Sequence, residues 1–307
     1  MRLAFCFPGQ GSQAVGMGRD LAEAVPAARA VYEEGSEAAG LDLARLCFEG
    51  PLEELTRTDL QQPALVATSL ACLRAIETRG IHADCVLGHS VGEYAALAAA
   101  GALSQREAIS LVRERGEATA QAAEDRPGSM AAVIGLDDDV VEELCRETGG
   151  VWPANYNCPG QLVVSGEPAS VERVLSAARE RGARKTVPLR VTGAFHSPLV
   201  GSAVERLRPA IEQVVWREPS PAFMSTVTAE FEPARRIGGI LLEQLTRPVR
   251  FTQAVGALVA QGVNLFVEVG PGAVLSGLIR RCDRSVTTVS VADTAGLGKL
   301  EEALAAV

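Results

Sequence analysis

Long apolar runs, paired cysteines, basic charge and histidine are all scarce in this chain, and each scarcity narrows what it does. No apolar stretch in the 307 residues reaches the roughly 18 needed to cross a bilayer, so no membrane partner is expected. The opening "MRLAFCFPGQGSQ" has no signal-peptide pattern, because glycines and glutamines follow the short apolar stretch at once; a cytoplasmic location is expected. The 7 cysteines include no C-x-x-C pair, which leaves a disulfide framework and a zinc site unsupported; buried free thiols and no metal are expected. With 29 basic and 38 acidic residues the formal charge is −9, and a phosphate backbone needs a basic surface, so nucleic acid is excluded as a partner. Two arginine clusters, "RERGARK" (179–185) and "LIRRCDR" (278–284), read as solvated faces, with docking to a partner as the second reading.

What is present is enough apolar residue, 47%, to bury a large core in one large domain or two smaller ones. "RLAFCF" (2–7), "ADCVLG" (83–88) and "VNLFVEVGPG" (263–272) are short apolar runs bounded by Gly or Pro and set beside helical periodicity. That rhythm predicts buried parallel strands alternating with helices, an α/β core. The middle of the chain differs. Strand-like 129–136, helix-like 137–149, strand-like 151–157 and 161–166, helix-like 167–183 and strand-like 184–191 follow in the order β-α-β-β-α-β. This is a split βαβ unit of a size to be inserted as a small subdomain.

"GHSVGEYAAL" (88–97) places Ser90 between glycines where an apolar run turns into a helix. One reading is a helix cap, since Ser90 and Glu93 have Ser-x-x-Glu spacing. The other is a nucleophile on a strand–turn–helix elbow, where strand and helix backbones pack closely and small residues are required on both sides. A cap needs none of the flanking glycines, so the nucleophile is preferred. The start of the following helix also gathers unpaired N–H groups able to meet an oxyanion. A serine hydroxyl needs a base, and only 3 histidines are available. His89 adjoins Ser90 on a tight turn, where neighbouring side chains diverge, and His82 lies in the polar "ETRGIHAD". His196, in "RVTGAFHSPLV" after the last strand of the inserted unit, is the remaining candidate.

The helix-like segment 108–124 carries Arg115 with Leu111, Val112, Ala118 and Thr119 three and four residues away, and no acid among them. Arg113, by contrast, has Glu117 at i+4. An arginine on an apolar stripe either snorkels, pairs with a distant acid, or meets an anion, and its planar fork suits a carboxylate. Beside a Ser/His pair, it points to an acyl group bearing a free carboxylate.

Taken with "FPGQGSQ" (7–13), "QQPAL" (61–65), "NYNCPGQLVVSG" (155–166), "GAFHSPL" (193–199), "QLTRPVRF" (244–251) and "EVGPGAVLSGL" (268–278), these segments resemble the malonyl-CoA:acyl-carrier-protein acyltransferases over nearly the whole length. The resemblance implies a hydrolase-like α/β core (1–127 and 193–307) with a parallel sheet, and an inserted ferredoxin-like βαββαβ subdomain (128–192). It implies a ping-pong transfer of malonyl from malonyl-CoA to the phosphopantetheine thiol of a carrier protein, by a monomer without cofactor. Ser90 matches the nucleophile and His196 the base. Gln244 matches the residue whose backbone carbonyl orients that base, and the backbone N–H groups of Gln10 and Val91 match the oxyanion hole. Arg115 matches the carboxylate clamp, and Gln62 and Asn157 match polar residues lining the pocket. Thr119 and Ala120 stand where the family commonly has Met-Gln, which implies a wider acyl pocket and transfer of larger extender units, methylmalonyl or ethylmalonyl. Phe195 matches the malonyl-selecting form of its loop, which implies the opposite. An acyl hydrolase, disfavoured by the retained arginine, and a carrier-binding module without catalysis, disfavoured by the intact Ser90, His196 and Gln244, are the remaining readings.

Overall fold

Apolar runs without alternation are covered on both faces, and the strands β1 (Leu3–Phe7) and β2 (Cys85–Gly88) are buried at every position. In chain order they are followed by β3 (Ser129–Ile134), β4 (Val151–Cys158), β5 (Gln161–Gly166), β6 (Lys185–Pro188), β7 (Ala222–Met224), β8 (Leu265–Val269) and β9 (Thr287–Val291). The structure, a computed structural model, describes residues 2–191 and 193–305, so the expected domain limits at 1, 192 and 307 lie outside the described residues.

Strands β7, β2, β1, β8 and β9 form, in that order, an all-parallel sheet. The other four form an antiparallel sheet ordered β4-β5-β3-β6, with the helices Asp138–Thr148 and Pro168–Glu180 and an apolar core of their own that includes Val133, Leu144, Val164 and Leu175. This is the expected split βαβ unit. It is stitched to the rest of the chain by β4, whose Tyr156 N–H donates to Val249 O and whose Ala154 O accepts from Val249 N–H, both at 2.8 Å.

Two strands escaped the sequence reading. β7 has three residues, too few for any period to register, and β9, "TTVSV", is a polar edge strand. The helix expected from 108 starts at Gln105, because Ser104 caps it: its side chain takes the Glu107 N–H, and Glu107 reaches back to the Ser104 N–H. All 7 cysteines are free; six are buried and Cys282 is half-buried. Burial holds the Cys47, Cys72 and Cys145 thiols at about 12, far from the reactive thiolate. No helix among the described residues is long and apolar enough to cross a membrane.

In the core, β1 and the helix Gly92–Ala99 approach closely. A Cβ on Gly92 would stand 2.1 Å from Phe7 O. Gly92→Ala is therefore expected to lower stability by about 2–3 kcal/mol or more through overpacking. Gly256→Ala, in the helix Phe251–Ala260 with nothing within 4 Å, is expected to raise it by roughly 0.5–1 kcal/mol. Urea unfolding of both variants checks the pair; a neutral Gly92→Ala would show that the contact is not tight.

Candidate active site

β1 and β2 end level, Phe7 opposite Gly88, so the loops that follow them leave from the same edge of the sheet. His89 N–H donates to Phe7 O at 2.9 Å, tying the two loops together. Ser90 sits on the second loop with φ of 52°, a left-handed conformation that costs a non-glycine residue about 1–3 kcal/mol and persists only where surroundings enforce it. The helix Gly92–Ala99 follows immediately, and its first bonds run from Gly92 N–H to His89 O and from Glu93 N–H to Ser90 O. The Val91 N–H stands ahead of that ladder.

Capping does not explain Ser90: no side chain caps this helix. Ser104 and Glu107 form a capping box at the same spacing, whereas Glu93 turns away from Ser90. Its carboxylate accepts from Thr226 N–H (2.5 Å), Thr226 Oγ1 (2.8 Å), Ser225 Oγ (3.3 Å) and Gln244 Nε2 (2.5 Å). Burial pushes Glu93 up to about 7, against the pull of those donors.

Ser90 Oγ lies 2.8 Å from His196 Nε2. His196, also left-handed at φ 59°, hangs on the turn after the helix Ala234–Gln244. Its backbone N–H donates to Leu245 O (3.1 Å), and its Nδ1 lies 2.9 Å from Gln244 O and 3.2 Å from Arg247 O. Carbonyls only accept, so Nδ1 carries the proton and Nε2 is the free base facing the serine. The last carbonyls of a helix lack partners within it, and here one of them sets the tautomer. Burial, and next the Arg115 guanidinium, push His196 down to about 3, so the imidazole is neutral.

Arg115 is 3% exposed on the helix Gln105–Asp125. Its Nη1 donates to Gln62 Oε1 (2.6 Å); its Nη2 donates to Gln244 Oε1 (3.0 Å) and to Ser90 Oγ (3.2 Å). Its Nε, equally buried, has no partner among the described residues. Burial lowers its pKa, opposed by Tyr94 and Glu93; a guanidinium stays protonated regardless. Arg113, half-buried on the same helix, instead meets the carboxylates of Glu117 and Asp59.

A small cavity of about 10 Å³, room for one water, is lined by Gln10, Ser90, Arg115, Thr119, Phe195, His196 and Leu245. Gln62 joins through Arg115 and through Thr119, whose hydroxyl accepts from Gln62 Nε2 at 3.0 Å. Asn157 stands one step back, its Oδ1 2.9 Å from His89 Nε2. His82 is exposed and remote from this chemistry. Leu245 and Glu93 were not expected here; Leu245 gives no polar signal, and the spacing of Glu93 read as a cap.

A neutral histidine aimed at a strained serine, at the carboxyl ends of parallel strands, defines an acyl-handling enzyme of the hydrolase-like α/β class. The chain belongs to the acyl transferase domain family, whose model matches residues 4–305. It is 43% identical to the malonyl CoA-acyl carrier protein transacylase of Bacillus subtilis over 297 residues, 95% of this chain and 94% of that protein. Among solved structures it superposes on a malonyl-CoA:acyl carrier protein transacylase from Xanthomonas oryzae pv. oryzae with a TM-score of 0.95, at 42% identity and 99% coverage of both chains. A malonyl-transacylase solved with its type II polyketide acyl-carrier protein also superposes with a TM-score of 0.95, at 38% identity, covering 99% of this chain and 100% of the other.

Because His196 is already neutral, the rate at which a small uncharged phosphonate labels Ser90 is expected to stay flat from about pH 8 to pH 5. A limb centred near pH 6.5 that persists in Glu93→Gln, where the carboxyl that burial raises to about 7 is gone, would show an ordinary histidine instead. His196→Ala is expected to slow labelling by about 10²–10⁴-fold.

Proposed function

We propose that this protein transfers malonyl from malonyl-CoA to the phosphopantetheine thiol of an acyl carrier protein through an acyl-Ser90 intermediate. His196 Nε2 takes the Ser90 proton as Oγ attacks the thioester carbonyl, and the backbone N–H groups of Gln10 and Val91 receive the resulting oxyanion. Collapse breaks the C–S bond, and the proton on Nε2 goes to the departing CoA sulfur. The carrier thiol then enters by the reverse steps: it yields its proton to His196, attacks the acyl-Ser90 ester, and Oγ leaves with that proton. The Gln244 carbonyl keeps Nδ1–H in place throughout.

The observation that carries the malonyl assignment is Arg115, buried 3.2 Å from the nucleophile with an unpartnered Nε among the described residues. A carboxylate one carbon beyond the acyl carbonyl falls within its reach and repays the desolvated guanidinium with charge-assisted hydrogen bonds. The relatives named transacylases of malonyl CoA and acyl carrier protein support the same reading. Phe195 stands in the small cavity and disfavours an α-methyl group, so malonyl is preferred over larger extender units by about 1–3 kcal/mol. The enzyme acts in the cytoplasm as a monomer, without cofactor, membrane or nucleic acid.

Intact-protein mass after brief exposure to malonyl-CoA tests this. Ser90 is expected to gain one malonyl group, which moves to holo carrier protein when it is added, and Ser90→Ala is expected to gain none. Loss of the adduct to water in the presence of carrier would identify a hydrolase. Arg115→Ala is expected to reduce malonyl transfer by about 10–100-fold and acetyl transfer by only a few-fold, the size of a lost charge-assisted contact. Equal losses would dismiss the clamp.

A further inference from the structure

The structure assigns Glu93 a positioning role in the carboxylate clamp, exerted through the side-chain amide of Gln244. This rests on the malonyl reading of Arg115 given above. The Gln244 amide is fully buried and its two ends are chemically distinct. Nε2 donates to Ser90 O at 3.1 Å and to Glu93 Oε2 at 2.5 Å. Ser90 O can only accept, and the ionised Glu93 accepts as well, so the NH₂ end is confined to that side and Oε1 is turned to Arg115 Nη2, 3.0 Å away.

Glu93 is itself pinned. Three donors from Ser225 and Thr226, the residues directly after β7, converge on its other oxygen, Oε1. The chain of contacts therefore runs from the end of a core strand through Glu93 and Gln244 to the guanidinium. A second oriented amide mirrors it on the other side. Thr119 Oγ1 donates to Arg115 O at 2.8 Å and accepts from Gln62 Nε2, which leaves Gln62 Oε1 facing Arg115 Nη1. With both amides so turned, the fork is held and its Nε stays unpartnered among the described residues.

In Glu93→Gln the new amide keeps its oxygen toward Thr226 and sets an NH₂ against Gln244 Nε2. Two donors then face each other, Gln244 turns over, and Arg115 loses an acceptor. The Gln244 backbone carbonyl, which serves His196, is unaffected. The experiment compares wild type, Glu93→Gln, Gln244→Met and the double variant, each with malonyl-CoA and acetyl-CoA, after thermal melts confirm folding. Glu93→Gln is expected to raise KM for malonyl-CoA about tenfold and to change acetyl transfer less than about threefold. Gln244→Met is expected to show the same split, and the double variant to be no worse than the worse single one.

Equal losses with both donors, no loss with either, or multiplicative losses in the double variant would each overturn the role. If Glu93→Gln does not fold, Glu93→Asp, whose shorter side chain draws the carboxylate away from Gln244 Nε2, takes its place and is expected to show the same split; equal effects on both donors would overturn the role. Wild type that accepts no malonyl group defeats the underlying reading; wild type that accepts it, with a Glu93→Gln indifferent to the donor, defeats the role of Glu93 alone.

Discussion

Keeping a guanidinium out of water without neutralising it is the constraint on which this site depends. Arg115 has no carboxylate within hydrogen-bond distance among the described residues; amide oxygens of Gln62 and Gln244 and the Ser90 hydroxyl solvate it, with Glu93 one amide removed. Dipoles offset part of the desolvation cost yet leave the charge available to an arriving anion. An acid in direct contact would hold the arginine more firmly and leave less for a substrate to gain. The same positive charge, with burial, keeps His196 neutral, so one buried cation prepares both the clamp and the base.

The fold delivers these groups from distant parts of the chain to one edge. Level ends of β1 and β2 bring the Gln10 and Ser90 loops together, and the end of β7 supplies the donors that fix Glu93. The turn after the helix Ala234–Gln244 carries His196 on its carbonyls and sends the Gln244 side chain beneath Ser90. Two left-handed residues, Ser90 and His196, face each other across this junction. Strain stored in both at the reacting pair is tolerable because the tied loops and the helix terminus enforce it.

Much of this was legible in the residues. The glycines around Ser90 announced a close backbone approach; the missing local acid set Arg115 apart but left snorkelling, a distant acid and an anion open, and the structure buries it against the amide oxygens of Gln62 and Gln244. The two rhythms of the chain separated the parallel sheet from the split βαβ unit. What periodicity did not carry was β7, too short, and β9, too polar. The second layer of the site was hidden for a different reason: Ser90 and Glu93 have the same spacing as Ser104 and Glu107, and only tertiary context, the donors of Ser225 and Thr226, decides that one pair caps a helix and the other does not. The roles of Gln62 and Thr119 likewise depend on which way an amide faces, which no local pattern encodes.

The choice of a carbonyl as the partner of His196 follows from the same electrostatics. A carboxylate at Nδ1 would favour the imidazolium and raise the pKa that burial and Arg115 depress. It would also lie close to a guanidinium that already reaches Ser90, and would either pair with it or repel the carboxylate of an incoming acyl group. The Gln244 carbonyl, at the negative end of a helix, fixes the tautomer and offers a partial negative charge to the imidazolium that forms as the serine attacks. A neutral partner orients the base while leaving Arg115 the one strong charge beside the nucleophile, which is the arrangement an anionic acyl group requires.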